Sequence, residues 1–393
     1  MKHISLIFFI SLCIIGCSTT SKNESIIFQN EVEILPADNT LRLSDIFKKC
    51  EIISLRGQLL SSISDVFFND SLLVIKGNSA TSSLHLFNND GQYIKAMIDK
   101  GRGSNEAINI QAFRIDDTIA EVLINFSRSI ITYSLPRKHI VSQFNLPEEL
   151  LGADDFIKLD ENRYAFYKSM KHTKNDEYKI SVFNKQTNKI EKQYFPLVMN
   201  DEYISFAQLR NFYYFKNRIL FYEAFAPGIY QLTSDSLTGY IHFDKKAYDL
   251  SIEKLKKCKS FDEVIEKCKN SSQIWGHTDV IESKKFILST FWYKDDLYLN
   301  LINKANMTSQ SFNRIYDDLI TDSYFGINEG LNYIGANDNF YYFILEPYKW
   351  QEIINNKKES HTYEKYKKEY PTFCSISDQL KEDDNSLLIL FYD

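Results

Sequence analysis

Few residues of this 393-residue chain have the type and spacing that chemistry requires. Trp275-Gly276-His277 and Phe291-Trp292-Tyr293 bring two of the three tryptophans close together. Indole faces beside a few polar groups suit sugar rings, although large aromatics also pack routinely in cores. His277 reads either as a general base or ligand, or as a hydrogen-bonded histidine on a strand edge. The run Gly101-Arg102-Gly103-Ser104-Asn105-Glu106 sets a cation and a carboxylate beside two glycines. It matches neither nucleotide-binding fingerprint, so it reads first as a tight connection whose glycines adopt angles denied to other residues. Trp275, His277, Trp292, Arg102 and Glu106 are therefore the candidate ligand-binding residues, and no catalytic residue is assigned. The paired acids Asp295-Asp296, Asp317-Asp318 and Asp383-Asp384 lack the alternating spacing of a calcium loop. No zinc-type cysteine and histidine spacing occurs, so neither a metal nor a cofactor is expected. There is no nucleophile elbow and no metalloprotease helix, and a glycosidase pair is defined by a separation in space that a linear sequence hides.

The N-terminus carries a different chemistry. Lys2 and His3 precede an apolar run, residues 4–15, which closes on Gly16-Cys17 and a polar stretch from Ser18 to about Gln29. A basic start, a short apolar core and a small residue at the cut describe a secretory signal, and the run falls short of the roughly twenty residues that cross a bilayer. Cys17 after Gly16 resembles the lipobox of bacterial lipoproteins, in which cleavage precedes the cysteine and its thiol carries the lipid. That resemblance implies a signal over residues 1–16, lipidation at Cys17, a polar tether over 17–30 and a body over 31–393. Several acyl chains anchor stably where one holds weakly, so the membrane is the first expected partner. Of the early tether residues only Glu24 is acidic, so no acidic cluster selects the periplasmic or the surface face.

Cys50, Cys258, Cys268 and Cys374 remain, which allows three disulfide connectivities as well as free thiols. On an unbroken helix Cys258 and Cys268 lie about 15 Å apart, beyond the roughly 7 Å reach of a disulfide. Aromatics make up 15% of the chain, which favours strands, and 13 glycines and 7 prolines are too few for disorder. With 52 acids against 46 bases, the net charge of −6 argues against nucleic acid as a partner.

Short strands separated by turns recur along the body. Residues 71–75, 83–87 and 92–98 form one set, with Asp90-Gly91 as a hairpin turn. Further sets fall at 120–126, 129–134 and 139–144; at 163–167, 178–184 and 190–195; at 218–222, 228–232 and 238–243; and at 286–291, 297–303 and 310–315. Residues 340–345 and 386–391 are pieces of a last set, and a strand near 50–55 pairs with the C-terminal end to close a ring. Sets at roughly fifty-residue intervals predict an all-β, six-bladed β-propeller. Two helical inserts interrupt it, at 250–270 with Ser251 as cap, and at 348–354 with 363–370, ended by Pro371. Both are expected on one rim of the ring, near the channel mouth.

Asn69-Asp70-Ser71-Leu72-Leu73-Val74-Ile75, then Leu86-Phe87-Asn88-Asn89-Asp90-Gly91-Gln92-Tyr93-Ile94, then Gly101 to Glu106 resemble the first blade of the Bacteroides-type six-bladed β-propeller lipoproteins, which are themselves similar to NHL-repeat propellers. In the family pattern G-x-G-P-G-E, this chain has Ser104-Asn105 in place of Pro-Gly. Phe225-Ala226-Pro227-Gly228-Ile229-Tyr230-Gln231-Leu232 looks like the family's mid-chain hairpin, and Asp384-Asn385-Ser386-Leu387-Leu388-Ile389-Leu390 its close, with Ser386 at the usual proline. The resemblance spans residues 31–393 and implies structure, with no catalytic residues to carry over. The expected role is an envelope-anchored binding module for a glycan, a peptide or an envelope protein. By fold analogy the alternatives are a polysaccharide hydrolase or lyase at the channel mouth, and a scaffold subunit of an outer-membrane uptake complex.

Overall fold

The computed structural model describes residues 26–60, 62–68, 71–77, 83–103, 106–116, 118–171, 176–197, 206, 210–250, 252–327, 331–337 and 340–392. Their strands form seven sheets, arranged as the blades of a β-propeller. The first blade is Ile63–Phe68, Leu72–Gly77, Leu84–Asn88 and Tyr93–Lys100, extended by Glu106–Ala107. The second is Ile110–Asp116, Ile119–Ile124, Ser129–Ser134 and His139–Asn145, and the third Asp155–Lys158, Arg163–Tyr167, Tyr178–Asn184 and Lys189–Pro196. The fourth is Phe212–Phe215, Arg218–Phe221, Gly228–Leu232 and Leu237–Asp244, and the fifth Ile274–Glu282, Phe286–Tyr293, Asp296–Asn303 and Thr308–Phe312. A small sixth blade joins Thr40–Arg42, Arg314–Asp317 and Ser323–Gly326. The seventh is Leu331–Ala336, Phe340–Leu345, Leu387–Tyr392 and Lys49–Ser54.

The expectation of six blades is therefore corrected to seven. Residues 310–315 do not form one strand. The chain breaks at Asn313, whose backbone N–H donates to Asn39 O at 3.1 Å, and the piece beyond it leaves the fifth blade to pair in parallel with Thr40–Arg42. Asp317 holds the turn of this small blade, accepting from the N–H groups of Leu319, Ile320 and Thr321, each at 3.0 Å. Asp318 accepts from Ser44 and Arg42 and so fastens the N-terminal segment. The innermost strands on either side, Ile274–Glu282 and Leu331–Ala336, touch each other, which leaves the small blade on the outer side of the ring.

The ring closes as expected, with Lys49–Ser54 antiparallel to Leu387–Tyr392. Burial follows from packing blade against blade. A middle strand such as Ile119–Ile124 is covered on both faces and is apolar but for Glu121, which accepts from Tyr164 Oη at 2.6 Å, whereas the outer strand His139–Asn145 is largely exposed. Phe156, Phe166 and Phe183 are fully buried in one such interface, each contributing about 1.5–3 kcal/mol of burial. Phe28–Glu33 pairs in parallel with Leu237–Asp244, so regular structure begins inside the segment read as tether.

The first insert is two helices, Ile252–Leu255 and Phe261–Lys269, and the cap of the second is Ser260, which accepts from Glu263 N–H at 3.3 Å. Ser251 lies outside the described residues. The break between these helices removes the unbroken-helix premise for Cys258 and Cys268, which are buried side by side in one apolar cluster. All four cysteines among the described residues are free. The second insert has three helices, Pro347–Lys358, Tyr363–Glu369 and Pro371–Ser377. Pro371 opens the third where it was expected only to end the second, because proline at a first helical position loses no hydrogen bond. Among the described residues no helix is long and apolar enough to cross a membrane.

Candidate functional site

The strands lining the channel bring together charged residues that are far apart in the chain. Arg210 leads into the innermost strand of the fourth blade and its guanidinium engages Asp65 of the first, with Nε 3.3 Å from Oδ2 and Nη2 donating to Val66 O at 3.1 Å. Arg114 of the second blade pairs with Asp155 of the third and donates to Phe212 O of the fourth at 3.1 Å. Asp155 also accepts from the N–H groups of Asn211 and Phe212, both at 2.9 Å. Lys76 Nζ donates to Gln111 O at 2.8 Å, and burial pushes its ammonium pKa down against the pull of Asp65 and Asp155. Four blades are thus tied by three cations and two carboxylates. With both carboxylates committed to arginine and backbone donors, this constellation fastens the ring and presents no nucleophile.

The aromatic pair is assembled, though not as an open platform. Trp275 and Trp292 stack at 5.4 Å with planes 19° apart. Trp275 is only 4% exposed, beneath the first helical insert among Leu250, Leu255, Cys258, Val264 and Cys268, and its Nε1 donates to Lys294 O at 3.2 Å. Trp292 is half-buried at the edge of that cluster. Trp350, the third tryptophan, is buried in the second insert and donates to Ser377 Oγ at 2.6 Å. A sugar-stacking face on Trp275 is therefore excluded by burial.

His277 is 1% exposed and sits among the rings of Tyr222, Phe243 and Phe291. Its Nε2 lies 2.8 Å from Ser289 Oγ, and from there polar groups run outward across the fifth blade. Asn300 Nδ2 reaches Ser289 Oγ at 3.5 Å, and Ser311 Oγ donates to Asn300 Oδ1 at 3.3 Å. Ser289, Asn300 and Ser311 face one another across consecutive strands, His277 reaches the first from an irregular stretch of its own strand, and all four are buried. Burial, with Lys245 as a secondary cause, holds His277 well below the usual histidine range, so the imidazole is neutral. The imidazole is sealed from solvent, with Nε2 in a line of hydroxyl and amide groups and Nδ1 buried without a hydrogen-bond partner among the described residues.

Arg102 is exposed, and Glu106 folds back over its own loop, accepting from Gly103 N–H at 2.8 Å. A Cβ at Gly101 would fall 1.8 Å from Glu106 Oε2, the free end of a flexible side chain. The structure does not bring Arg102 and Glu106 to the tryptophan pair. Cys17, Ser104, Asn105 and His172 lie outside the described residues. No group of three or more metal-ligating side chains occurs among the described residues.

Sequence reasoning missed a large opening beside the closing strand. A cavity of about 1240 Å³ runs beside Lys49–Ser54, between the Pro371–Ser377 helix and the Asn89-Asp90 turn of the first blade. The closing strand was visible in the sequence. The cavity was not, because residues 50–59 and 89–90 meet residues 319–320 and 369–385, from the far end of the chain.

The family described as "Domain of unknown function (DUF4934)" matches over residues 28–392. Among solved structures the chain is similar to BF0058 of Bacteroides fragilis NCTC 9343, described as an exported protein, with a TM-score of 0.73 at 14% identity over 92% of this chain and 99% of that one. It also aligns with the extracellular domain of the one-component system BT4673 of B. thetaiotaomicron, with a TM-score of 0.35 at 13% identity, covering 67% of this chain and 29% of that one. At such identities the first likeness speaks to fold alone. A comparison with curated proteins returns no match. The matches support a propeller of this family and give the NHL-repeat likeness no support.

Proposed function

Since the chain belongs to the DUF4934 family over nearly its whole length, we propose that it is a cell-envelope lipoprotein, anchored through Cys17 in the outer membrane, whose propeller binds a polypeptide partner. The observation that carries this reading is the 1240 Å³ cavity along the closing strand. It exceeds the roughly 300–1,000 Å³ of small-molecule pockets, and its wall mixes backbone, acidic and aliphatic groups. The sugar reading loses support with the burial of Trp275, and the hydrolase or lyase reading with the burial of His277 and the commitment of Asp65 and Asp155 to arginines.

The test is a parallel glycan and peptide array probed with the soluble form beginning at Ser18. Retention of peptides without glycans is expected, and retention of glycans alone would overturn the reading. For the anchor, metabolic labelling with a palmitate analogue is expected to mark the protein, and Cys17→Ser to abolish the label and release the protein from membranes. Label retained by Cys17→Ser would exclude this anchor.

A further inference from the structure

The cavity has the shape of an unfilled strand position. Lys49–Ser54 has one neighbour, Leu387–Tyr392, and is the outermost strand of its sheet. Such an edge presents a row of backbone donors and acceptors that folded proteins usually cover, shorten or charge. Here the second helical insert stands back from it and leaves the cavity between. The open stretch ends at Ser54, where the backbone of Gly91 closes in so tightly that a Cβ would lie 2.2 Å from Ser54 O. Past that point the Asn385 amide pins Leu55 O at 3.1 Å and Gln58 O at 2.6 Å. Lys49 to Ile53 therefore remain, a run of about 17 Å at ~3.3 Å per residue.

The walls state what the added strand carries. Glu51, Asp90, Glu369 and Asp384 line the cavity and are exposed, against a single cation, Arg56. Glu51 is engaged by Lys49 at 2.5 Å, and Glu369 lies 3.7 Å from Lys365. Among the described residues Asp90 and Asp384 have no cation at ion-pair distance; Asp384 accepts only from Lys381 N–H at 2.8 Å, and Arg56 Nη2 reaches the backbone oxygen of Asp90 at 3.4 Å. Ile376 and Leu380 supply aliphatic wall, and Leu59, 66% exposed, stands at the cavity's end.

We infer that an extended, basic polypeptide segment docks here by strand addition to Lys49–Ile53, its lysines or arginines meeting Asp90 and Asp384 and its alternate aliphatic side chains meeting Ile376 and Leu380. Main-chain hydrogen bonds to the edge supply affinity, and the alternation supplies selectivity. This rests on the proposed polypeptide-binding function and names its site and ligand class.

The probe is a fluorescent heptapeptide of alternating lysine and valine, titrated into the Ser18 form, with an alternating glutamate and valine peptide and a centrally proline-substituted lysine peptide as controls. Saturable binding of the lysine peptide is expected, at least tenfold weaker for both controls. Asp90→Lys with Asp384→Lys is expected to raise its Kd at least tenfold; Asp90→Lys alone, which leaves the Asp384 turn intact, at least threefold. Hydrogen exchange is expected to slow at residues 49–53. Equal binding by the proline peptide reduces the contact to charge attraction and overturns strand addition. Peptide binding with protection elsewhere, unchanged by these substitutions, overturns this site and leaves the polypeptide-binding function standing. Failure of every peptide here and on the array overturns both.

Discussion

Arg210 and Asp65 are 145 residues apart in the chain and form an ion pair that joins the fourth blade to the first, with the second and third blades between them in ring order. Each side chain is partly screened from water, so attraction is stronger than at an open surface and an abandoned partner is costlier. Lys76, Arg114 and Asp155 lie close enough to feel the same field.

Removing one partner should cost more than removing both. Asp65→Ala leaves the Arg210 guanidinium without its ion-pair partner, with only the more distant Asp155 to oppose its charge. An expected loss on the order of 2 kcal/mol lies below the roughly 3–5 kcal/mol of a fully buried pair. In a double-mutant cycle by urea denaturation, Asp65→Ala with Arg210→Ala should cost less than the two single losses together; strict additivity would show that the pair contributes nothing.

His277 makes the fold sensitive to mild acid. Its folded pKa is depressed by burial, so below pH ~6.5 the unfolded chain takes up a proton there that the folded chain refuses. Stability should fall with falling pH by up to about 1.4 kcal/mol per unit, and His85, lowered by the same cause, adds to the slope. Glu282 acts in the other direction at lower pH. Its carboxyl is raised by burial despite Lys304 and Arg218, so the folded state takes that proton first. Urea midpoints at pH 7.5 and 5.5 should separate by less in His277→Gln than in the parent; equal separations would mean that His277 titrates normally.

Gly228→Ala should be far more harmful than Gly101→Ala. At Gly101 a Cβ meets the mobile end of Glu106, and swinging it away costs about 1 kcal/mol with the lost bond to Gly103. At Gly228 it meets Ile241 O at 1.9 Å, backbone in the next strand, and Phe28 at 2.9 Å. A loss above about 2 kcal/mol is expected, with faster proteolysis at Phe28–Glu33. Equal melting temperatures for the two variants would contradict this packing.

Thiol reactivity should follow burial. Cys268 is sealed beneath the first insert and pushed up to about 12, while Cys50 is half-buried and pushed up to about 11. Because the thiolate is the reactive form, native protein should react slowly with Ellman's reagent, first at Cys50, and all four body cysteines only after unfolding. Prompt labelling of Cys258 or Cys268 in native protein would show that the insert opens.

Strand-by-strand reading succeeded where packing repeats locally. Arg163–Tyr167, Tyr178–Asn184 and Gly228–Leu232 stand where the apolar runs placed them, because blade-against-blade burial demands such runs. It missed the innermost strands of the first five blades. Those strands face the channel and carry Asp65, Arg114, Asp155, Tyr214 and His277, so polar residues break their alternation, and all but His277, which meets Ser289 of its own blade, have partners in other blades. The aromatic candidates were located correctly in the chain, yet their exposure depended on a helical insert folding over Trp275.

From pattern along the chain came the propeller class, the closing strand, both inserts and the expectation of a lipid anchor at Cys17, since each rests on short runs of neighbours or on the spacing at which such runs recur. The seventh blade needed three-dimensional pairing, because three-residue and four-residue strands bury too little to leave a pattern, and one of them arrives from the N-terminus in parallel. The cavity needed it too. A void is bounded by whatever surfaces the fold brings together, and its walls from residues 50–59, 89–90 and 369–385 share no feature before they meet.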